Sequence, residues 1–122
     1  MLKKIMIGSL LAIGLIGLTA SSFPPLEPVS YHTTNITTET TTTPFVGAGT
    51  FRILCINKPV ASETITIYDS ATATGTKIAT ITLPATLLSQ GPQCADYNAA
   101  LAVGLTIVTT GAGADITVAF QF

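Results

Sequence analysis

Two cysteines, Cys55 and Cys94, are the residues of this chain whose type and position indicate covalent chemistry. Each falls in a different predicted strand. Residues 1–22 have the layout of an export signal, so we expect both cysteines to reach a compartment in which a disulfide persists. We therefore predict a disulfide between them, which in the chain-entropy account would stabilise a small domain by roughly 3–4 kcal/mol. The alternative is a pair of buried free thiols. A structural zinc site is excluded, because two cysteines alone are too few ligands for it.

The other reactive side chains do not form a catalytic pattern. His32 is the single histidine, and the acids of the predicted domain stand alone in the sequence at Glu63, Asp69, Asp96 and Asp115. A catalytic triad would therefore lack a histidine within the domain. Calcium could in principle bridge Asp69 and Asp115 at the loops, but no closely spaced run of aspartates is present to enclose it. We predict a protein that is not an enzyme, with no catalytic residue, no cofactor site and no metal site.

The charge composition argues against a protein that binds nucleic acid. Charged residues make up 9% of the chain, and the formal net charge is -1. Beyond the N-terminus the basic residues are Arg52, Lys58 and Lys77, too few and too scattered for an electrostatic binding surface. The glycines of the segments 47–49 and 111–113 are not followed by helices, so we interpret them as turn residues and not as phosphate-binding loops.

Residues 1–22 have the layout of a signal peptide. Two lysines open the segment, an apolar run follows from Ile5 to Leu18, and small residues end it. The run is shorter than the roughly 20 residues that a membrane-spanning helix needs, which favours export. A retained membrane anchor is the alternative, because extension through Phe23 brings the run close to that length.

Residues 23–46 differ in composition from the rest of the chain. Three prolines open this segment, and a threonine-rich stretch follows. Proline favours an extended backbone and β-branched threonine disfavours helix, so we predict an extended spacer between the leader and the domain. A strand added to the edge of the domain is the alternative. The triplet Asn35-Ile36-Thr37 matches an N-glycosylation acceptor, which matters only in a host that glycosylates.

Residues 47–122 are predicted to form six strands, because apolar and polar residues alternate with the period of two that half-buried strands require. The clearest cases are a hairpin from Glu63 to Leu83 and a second hairpin from Gly104 to Phe122. Short strands separated by glycine and proline turns favour a sandwich over an α+β fold. We predict an all-β protein: a small Ig-like or jelly-roll-like β-sandwich, preceded by an N-terminal apolar helix and a Thr-rich extended spacer.

The first predicted strand of this domain, Gly47 to Asn57, is partly apolar on both faces. Phe51, Ile53 and Cys55 alternate along one face, and the residues between them, Leu54 and Ile56 included, form the other. Such a pattern is typical of a strand inside a sheet, or of one covered by a neighbouring subunit.

Two stretches of the domain carry a resemblance to a known group of proteins. They are the "TI-x-IYD … GT-x-I" hairpin from Thr64 to Ile78 and the "GLT-x-V-T … ADITV" hairpin from Gly104 to Val118. With them, residues 47–122 resemble small β-sandwich virion proteins of bacteriophages, of the head-decoration or spike-associated type. The resemblance implies a displayed, non-enzymatic module that assembles with copies of itself or with a capsid lattice. The export-like leader and the cysteine pair depart from that pattern, and a retained leader would suit a virion that contains a membrane.

These observations together predict a structural virion component. Its expected partners are other virion proteins or copies of itself, with membrane contact through residues 1–22 and no nucleic acid. The expected location is the virion, or the extracellular or membrane-associated space after export. The alternative function is a secreted or surface-anchored bacterial module for binding or adhesion.

Overall fold

The computed structural model describes residues 30–87, 91–111, 113 and 115–122. The predicted signal peptide or anchor, with its apolar helix, and the start of the predicted spacer lie outside the described residues. The described part of the chain forms eight β-strands: β1 His32–Ile36, β2 Thr40–Val46, β3 Gly49–Lys58, β4 Thr64–Asp69, β5 Thr76–Thr82, β6 Gln93–Leu101, β7 Gly104–Thr110 and β8 Asp115–Gln121. In that part, no helix has the length and apolar character needed to cross a membrane.

The strands form two antiparallel sheets of four strands each. The first sheet has the order β1-β8-β3-β6, and the second has the order β2-β7-β4-β5. Buried apolar side chains from both sheets fill the space between them, as in a β-sandwich, where the two inner faces interdigitate. The predicted all-β class and the predicted sandwich are therefore confirmed.

The strand pairing follows one rule along the whole described chain. β1 pairs with β8, β2 with β7, β3 with β6, and β4 with β5, and these pairs fall alternately in the first and the second sheet. Two further pairings, β3 with β8 and β4 with β7, join the pairs into sheets. The chain is thus a long antiparallel ribbon, turned back at the β4–β5 connection and wrapped so that it makes both layers.

Alternating burial explains why these residues form these strands. In β8, Ile116, Val118 and Phe120 are buried and the residues between them are half-buried, the period of two expected of a strand with one face on the core. In β4, Ile65 and Ile67 are fully buried in the same way. The predicted period of two is therefore confirmed in these strands.

The predicted hairpin from Glu63 to Leu83 is confirmed as β4 and β5, with Ile65 opposite Ile81. The second predicted hairpin, Gly104 to Phe122, is wrong. Its two strands exist, but β7 pairs with β2 and β4 in the second sheet, whereas β8 pairs with β1 and β3 in the first. β7 and β8 therefore lie in different layers, and each contributes apolar side chains to the core from its own sheet.

Part of the predicted spacer belongs to the sandwich. β1 and β2 lie within residues 23–46, and they form one edge of the first sheet and one edge of the second. Threonine fits a pleated strand as well as it fits an extended linker, and the apolar residues Ile36 and Phe45 give these strands contact with the core. The folded unit therefore begins before Gly47, and the structure agrees with the edge-strand alternative.

The predicted faces of β3 are also corrected. The register shifts between Phe51 and Ile53 in the pairings of β3 with both of its neighbours. Such a β-bulge interrupts the alternation of side chains. As a result Phe51, Leu54 and Ile56 are buried, and Cys55 lies on the outer side of the first sheet.

Candidate interaction surfaces

The predicted disulfide is present. Cys55 of β3 and Cys94 of β6 lie directly opposite each other in the sheet, and their sulfur atoms are bonded at 2.05 Å with the Cα atoms 4.0 Å apart. Buried residues flank Cys55 in β3, and Cys94 is exposed, so the bond lies on the outer side of the first sheet. It attaches the edge strand β6 to the interior strand β3 and has a structural role.

The acids that the sequence places singly remain apart in the structure. Asp69 ends β4 at one end of the sandwich, and Asp115 begins β8 at the other. A calcium ion bridging these two residues is therefore ruled out, because β4 and β8 run in the same direction, and one acid ends its strand whereas the other begins its strand. Glu63 is buried at the start of β4, with 1% of its surface exposed. Within the described residues, no three His, Cys, Asp or Glu side chains approach closely enough to hold a metal ion.

Asp69 organises the turn between β6 and β7. Its carboxylate accepts hydrogen bonds from the backbone N–H groups of Ala102 at 2.9 Å, Val103 at 2.8 Å and Gly104 at 3.2 Å. The bonds from Ala102 and Val103, followed by the bond from Gly104, hold the pKa of Asp69 below its ordinary value, because they stabilise the charged carboxylate. The Asp69 carboxylate therefore stabilises the turn between β6 and β7, which is a structural role.

His32 lies among phenylalanine rings. Its imidazole ring stacks on Phe122 at 4.4 Å and on Phe120 at 5.9 Å between ring centroids. Phe45 of β2 stacks on Phe120 of β8 at 5.1 Å, so the rings join the two sheets at their β1 and β2 edges. Gly49 makes room for this packing, since a Cβ atom there would lie 2.8 Å from the Phe45 ring. The histidine thus has a packing role in the described structure.

Four large apolar side chains are exposed in the described part of the chain: Tyr31 at 50%, Val46 at 68%, Val103 at 50% and Phe122 at 68%. The strand register places all four at one end of the sandwich, which we call the apolar end. Val46 lies opposite Gly104, and the N–H of the residue after Val46 donates to the carbonyl of Val103 at 2.8 Å. Tyr31 precedes the first residue of β1 and Phe122 follows the last residue of β8, where those strands pair.

The charges of the described residues differ between the two ends. At the apolar end, the Arg52 guanidinium lies 5.7 Å from the centre of the Tyr31 ring, and the Lys77 ammonium lies 6.0 Å from the centre of the Tyr68 ring. The acids of this half of the sandwich are Asp69 and Asp96, the latter opposite Ile53, the residue after Arg52. The opposite end has one cation and three acids, namely Lys58, Glu39, Glu63 and Asp115. By formal charge, the half of the sandwich at the apolar end is therefore balanced, whereas acids exceed cations at the opposite end.

A polar cluster of Asn35, Asn57, Asp115 and Thr117 lies at the opposite end, on the outer side of the first sheet. The Nδ2 groups of Asn35 and Asn57 donate to Asp115 Oδ1 at 2.6 and 3.0 Å, and to Thr117 Oγ1 at 3.2 and 2.8 Å. The bonds from Asn57 and then Asn35 lower the pKa of Asp115. The nitrogen that would accept a glycan in the Asn35 triplet is therefore engaged in hydrogen bonds within the folded chain.

An edge cleft of about 220 Å³ opens between β5 and β6, the other pair of sheet edges. Its walls are mostly apolar: Leu54, Ile56, Ile81, Gln93, Cys94, Ala95 and Tyr97. Burial raises the pKa of Tyr97, whose ring packs on Phe51 at 4.9 Å. The cleft is smaller than the 300–1,000 Å³ typical of small-molecule sites, and no charged side chain lines it.

The apolar end is the feature that sequence reasoning missed. Its four residues lie far apart in the chain and carry no shared motif, and only the wrapped topology brings them together. Comparison with models of protein families, with curated protein sequences and with solved structures yields no match to this chain.

Proposed function

We propose that this chain is a non-enzymatic structural component of a virion, of the capsid-decoration, spike or membrane-associated type. The observation that carries the proposal is the strand order β1-β8-β3-β6 and β2-β7-β4-β5. This wrapped-ribbon order is that of the eight-stranded jelly roll, a fold used by viral capsid proteins. The finer fold assignment within the β-sandwich class is thus part of this proposal.

The surface of the described domain supports the same function. Exposed apolar residues gathered at one place are typical of surfaces that contact a partner, and the apolar end gathers four of them. The Cys55–Cys94 disulfide suits an oxidising environment outside the cytoplasm. A low content of charged residues also favours packing against neighbouring subunits over binding to a charged polymer.

The alternative function is a secreted or surface-anchored bacterial module for binding or adhesion. Jelly rolls also occur in lectins, and the edge cleft beside Tyr97 is a concave surface that such a module could use. The cleft lacks converging charged groups, and its volume is small, so we rank this function second.

The proposal is tested by locating the protein in its native source. Particles released by cells that carry the gene would be purified on a density gradient, and each fraction would be assayed for this chain by mass spectrometry. We expect the chain to follow the particle peak and to resist removal by high-salt washing. Recovery only as a soluble chain in the medium, or on the surface of cells that release no particles, would refute the virion assignment. Surface recovery from such cells would favour the adhesion module.

A further inference from the structure

The Cys55–Cys94 disulfide lies at an open edge of the first sheet. Cys94 belongs to β6, the edge strand, and Cys55 belongs to β3 beside it. In the part of the chain that the structure describes, no strand lies beyond β6. Cys94 is exposed and lines the edge cleft, whereas Cys55 is half-buried. Cys94 is therefore the more accessible cysteine of the pair.

Thr117 covers the other side of Cys55. It lies directly opposite Cys55 in β8, and residues opposite each other in neighbouring antiparallel strands carry their side chains on the same face. The Nδ2 groups of Asn57 and Asn35 donate to Thr117 Oγ1 at 2.8 and 3.2 Å, which holds the Thr117 side chain in place. Cys55 thus lies between Thr117 and Cys94 on the outer side of the first sheet.

This order of residues across the sheet decides which sulfur atom an external thiol can reach. Thiol–disulfide exchange begins when a thiolate attacks one sulfur of a disulfide and displaces the other. The three sulfur atoms lie close to one line, so attack comes from the side opposite the leaving sulfur. Attack on Cys94 comes from the open edge of the sheet, whereas attack on Cys55 would come from over β8, where Thr117 lies.

We propose that Cys94 is the site at which a low-molecular-weight thiol exchanges with the disulfide. The thiolate sulfur bonds to Cys94 Sγ as the bond to Cys55 breaks, and Cys55 leaves as a thiolate that takes a proton from water. A second thiolate then attacks the sulfur of the bound thiol and releases Cys94, which is protonated in turn. Two thiol molecules thus become one disulfide, and the protein disulfide becomes two cysteine thiols. The inference goes beyond the proposed function and does not rest on it.

The first half of β6 should open once the disulfide is broken. Residues 93–96 are all exposed, so they bury little apolar surface. A register shift separates them from the second half of the strand, where the Tyr97 ring packs on Phe51 at 4.9 Å and Leu101 is buried. Segments with few buried apolar contacts open at the lowest free energy. Exchange at Cys94 would therefore release residues 93–96 while residues 99–101 stay in place.

Mass spectrometry tests the site of exchange. The full chain with its disulfide intact would be treated briefly with 2-mercaptoethanol, N-ethylmaleimide would then trap every free thiol, and peptic peptides would be analysed. We expect mercaptoethanol on Cys94 and N-ethylmaleimide on Cys55, about tenfold more often than the reverse pattern, because access decides which sulfur is attacked. Exchange that occurs only in the unfolded chain would give both patterns equally.

Two matched threonine variants test the shielding of Cys55. Thr117→Ala removes side-chain atoms beside Cys55 and should raise the share of mercaptoethanol on Cys55 several-fold. Thr33→Ala changes an exposed threonine of the edge strand β1, opposite Ala119, and should leave that share unchanged. Thermal unfolding of each variant would verify that the fold is intact.

Hydrogen exchange tests the local opening. With excess 2-mercaptoethanol, the amides of residues 93–96 should exchange faster by about tenfold or more, relative to the amides of residues 99–101. A variant in which both Cys55 and Cys94 are replaced by Ala should show the same difference between the two halves of β6 with and without the thiol.

Mercaptoethanol found mainly on Cys55, or equally on both cysteines, would overturn the inference. The wild-type distribution in Thr117→Ala would refute the shielding of Cys55. An equal rise in the exchange rates of residues 93–96 and 99–101 would refute the local opening of β6.

Discussion

The two ends of the sandwich each contain an aspartate that accepts several hydrogen bonds, but the donors differ in kind. At the apolar end, the donors to Asp69 are backbone N–H groups of the β6–β7 turn. At the opposite end, the donors to Asp115 are the side-chain amides of Asn35 and Asn57. The first arrangement depends on the path of the backbone, whereas the second depends on two particular residues in neighbouring strands.

The ends also differ in what they hold together. The stack of Phe45 on Phe120 connects β2 of the second sheet to β8 of the first. The hydrogen bonds of the polar cluster and the Cys55–Cys94 disulfide instead connect strands within the first sheet. The contrast implies that ring packing helps to hold the sheets together at the apolar end, and that polar and covalent links on the opposite half align strands of one sheet.

The largest expected effect concerns the ring packing. Phe120→Ala should lower the free energy of unfolding by about 3–5 kcal/mol, because it removes a buried ring and leaves a cavity between the sheets. Chemical denaturation followed by circular dichroism measures this loss. Phe122→Ala is the matched control, and its cost should stay below about 1 kcal/mol because the ring of Phe122 is largely exposed. Equal losses for the two variants would contradict the assigned role of the Phe45–Phe120 stack.

The next effect concerns the covalent link in the first sheet. Replacing both Cys55 and Cys94 by Ala should lower the free energy of unfolding by roughly 3–4 kcal/mol, since the bond closes a loop with a sequence separation of 39 residues. Reductant should bring the wild-type chain to a similar stability and leave the double variant unchanged. A wild-type chain whose unfolding midpoint does not respond to complete reduction would remove the disulfide from the account of stability.

Asp69→Ala should have an intermediate effect, of about 1 kcal/mol. Hydrogen bonds to a charged group are worth about 1.5–3 kcal/mol when sheltered, and solvent weakens them at an exposed position such as this one. Asp96→Ala, which removes an exposed acid from the edge strand β6, is the control and should change stability by less than about 0.5 kcal/mol. If both variants unfold at the same denaturant concentration, the turn between β6 and β7 does not depend on Asp69.

Some features of the fold can be predicted from the sequence, because they depend on residues that are close together in the chain or on a few residue types. The β4–β5 hairpin joins strands that are consecutive in the chain, so alternating Ile65 and Ile67 and the small residues of the loop were sufficient to predict it. The disulfide was predictable because the chain contains two cysteines and an export-like leader. The alternating burial of β8 agrees with the period of two in its apolar residues.

The features that escaped prediction are set by the topology of the chain. A period of two does not distinguish partners, so the sequence pattern alone favours one hairpin for β7 and β8, although they lie in different sheets. Threonine-rich β1 and β2 have the composition of a spacer, and their strand partners β8 and β7 are distant in the chain, as in the pairs His32 with Phe120 and Val46 with Gly104. The apolar end combines residues from four distant places in the chain, and no local sequence pattern predicts it.

The acids of the two ends should both contribute to stability against acid. The pKa values of Asp69 and Asp115 lie below their ordinary value of 3.8 in the folded chain. The unfolded chain therefore binds protons more readily, so this contribution is fully present above the unfolded pKa and is lost as the pH falls through the lowered values. Denaturation at a series of pH values should show the loss below about pH 4, and Asp69→Asn and Asp115→Asn should each flatten the curve. Curves for both variants that run parallel to the wild-type curve would contradict these assignments.

The smallest expected effect separates the two kinds of donor. Asn57→Ala removes the main donor to Asp115 and should raise the pKa of that carboxyl toward 3.8, whereas Asn35→Ala should raise it less. Neither change should move the pKa of Asp69, because its donors are backbone groups at the other end of the sandwich. Titration of the aspartate carboxyl carbons by NMR measures all of these values in one sample. A shift of the Asp69 titration in the Asn57 variant would mean that the two ends are coupled through β3 and β8, since these strands run the full length of the first sheet.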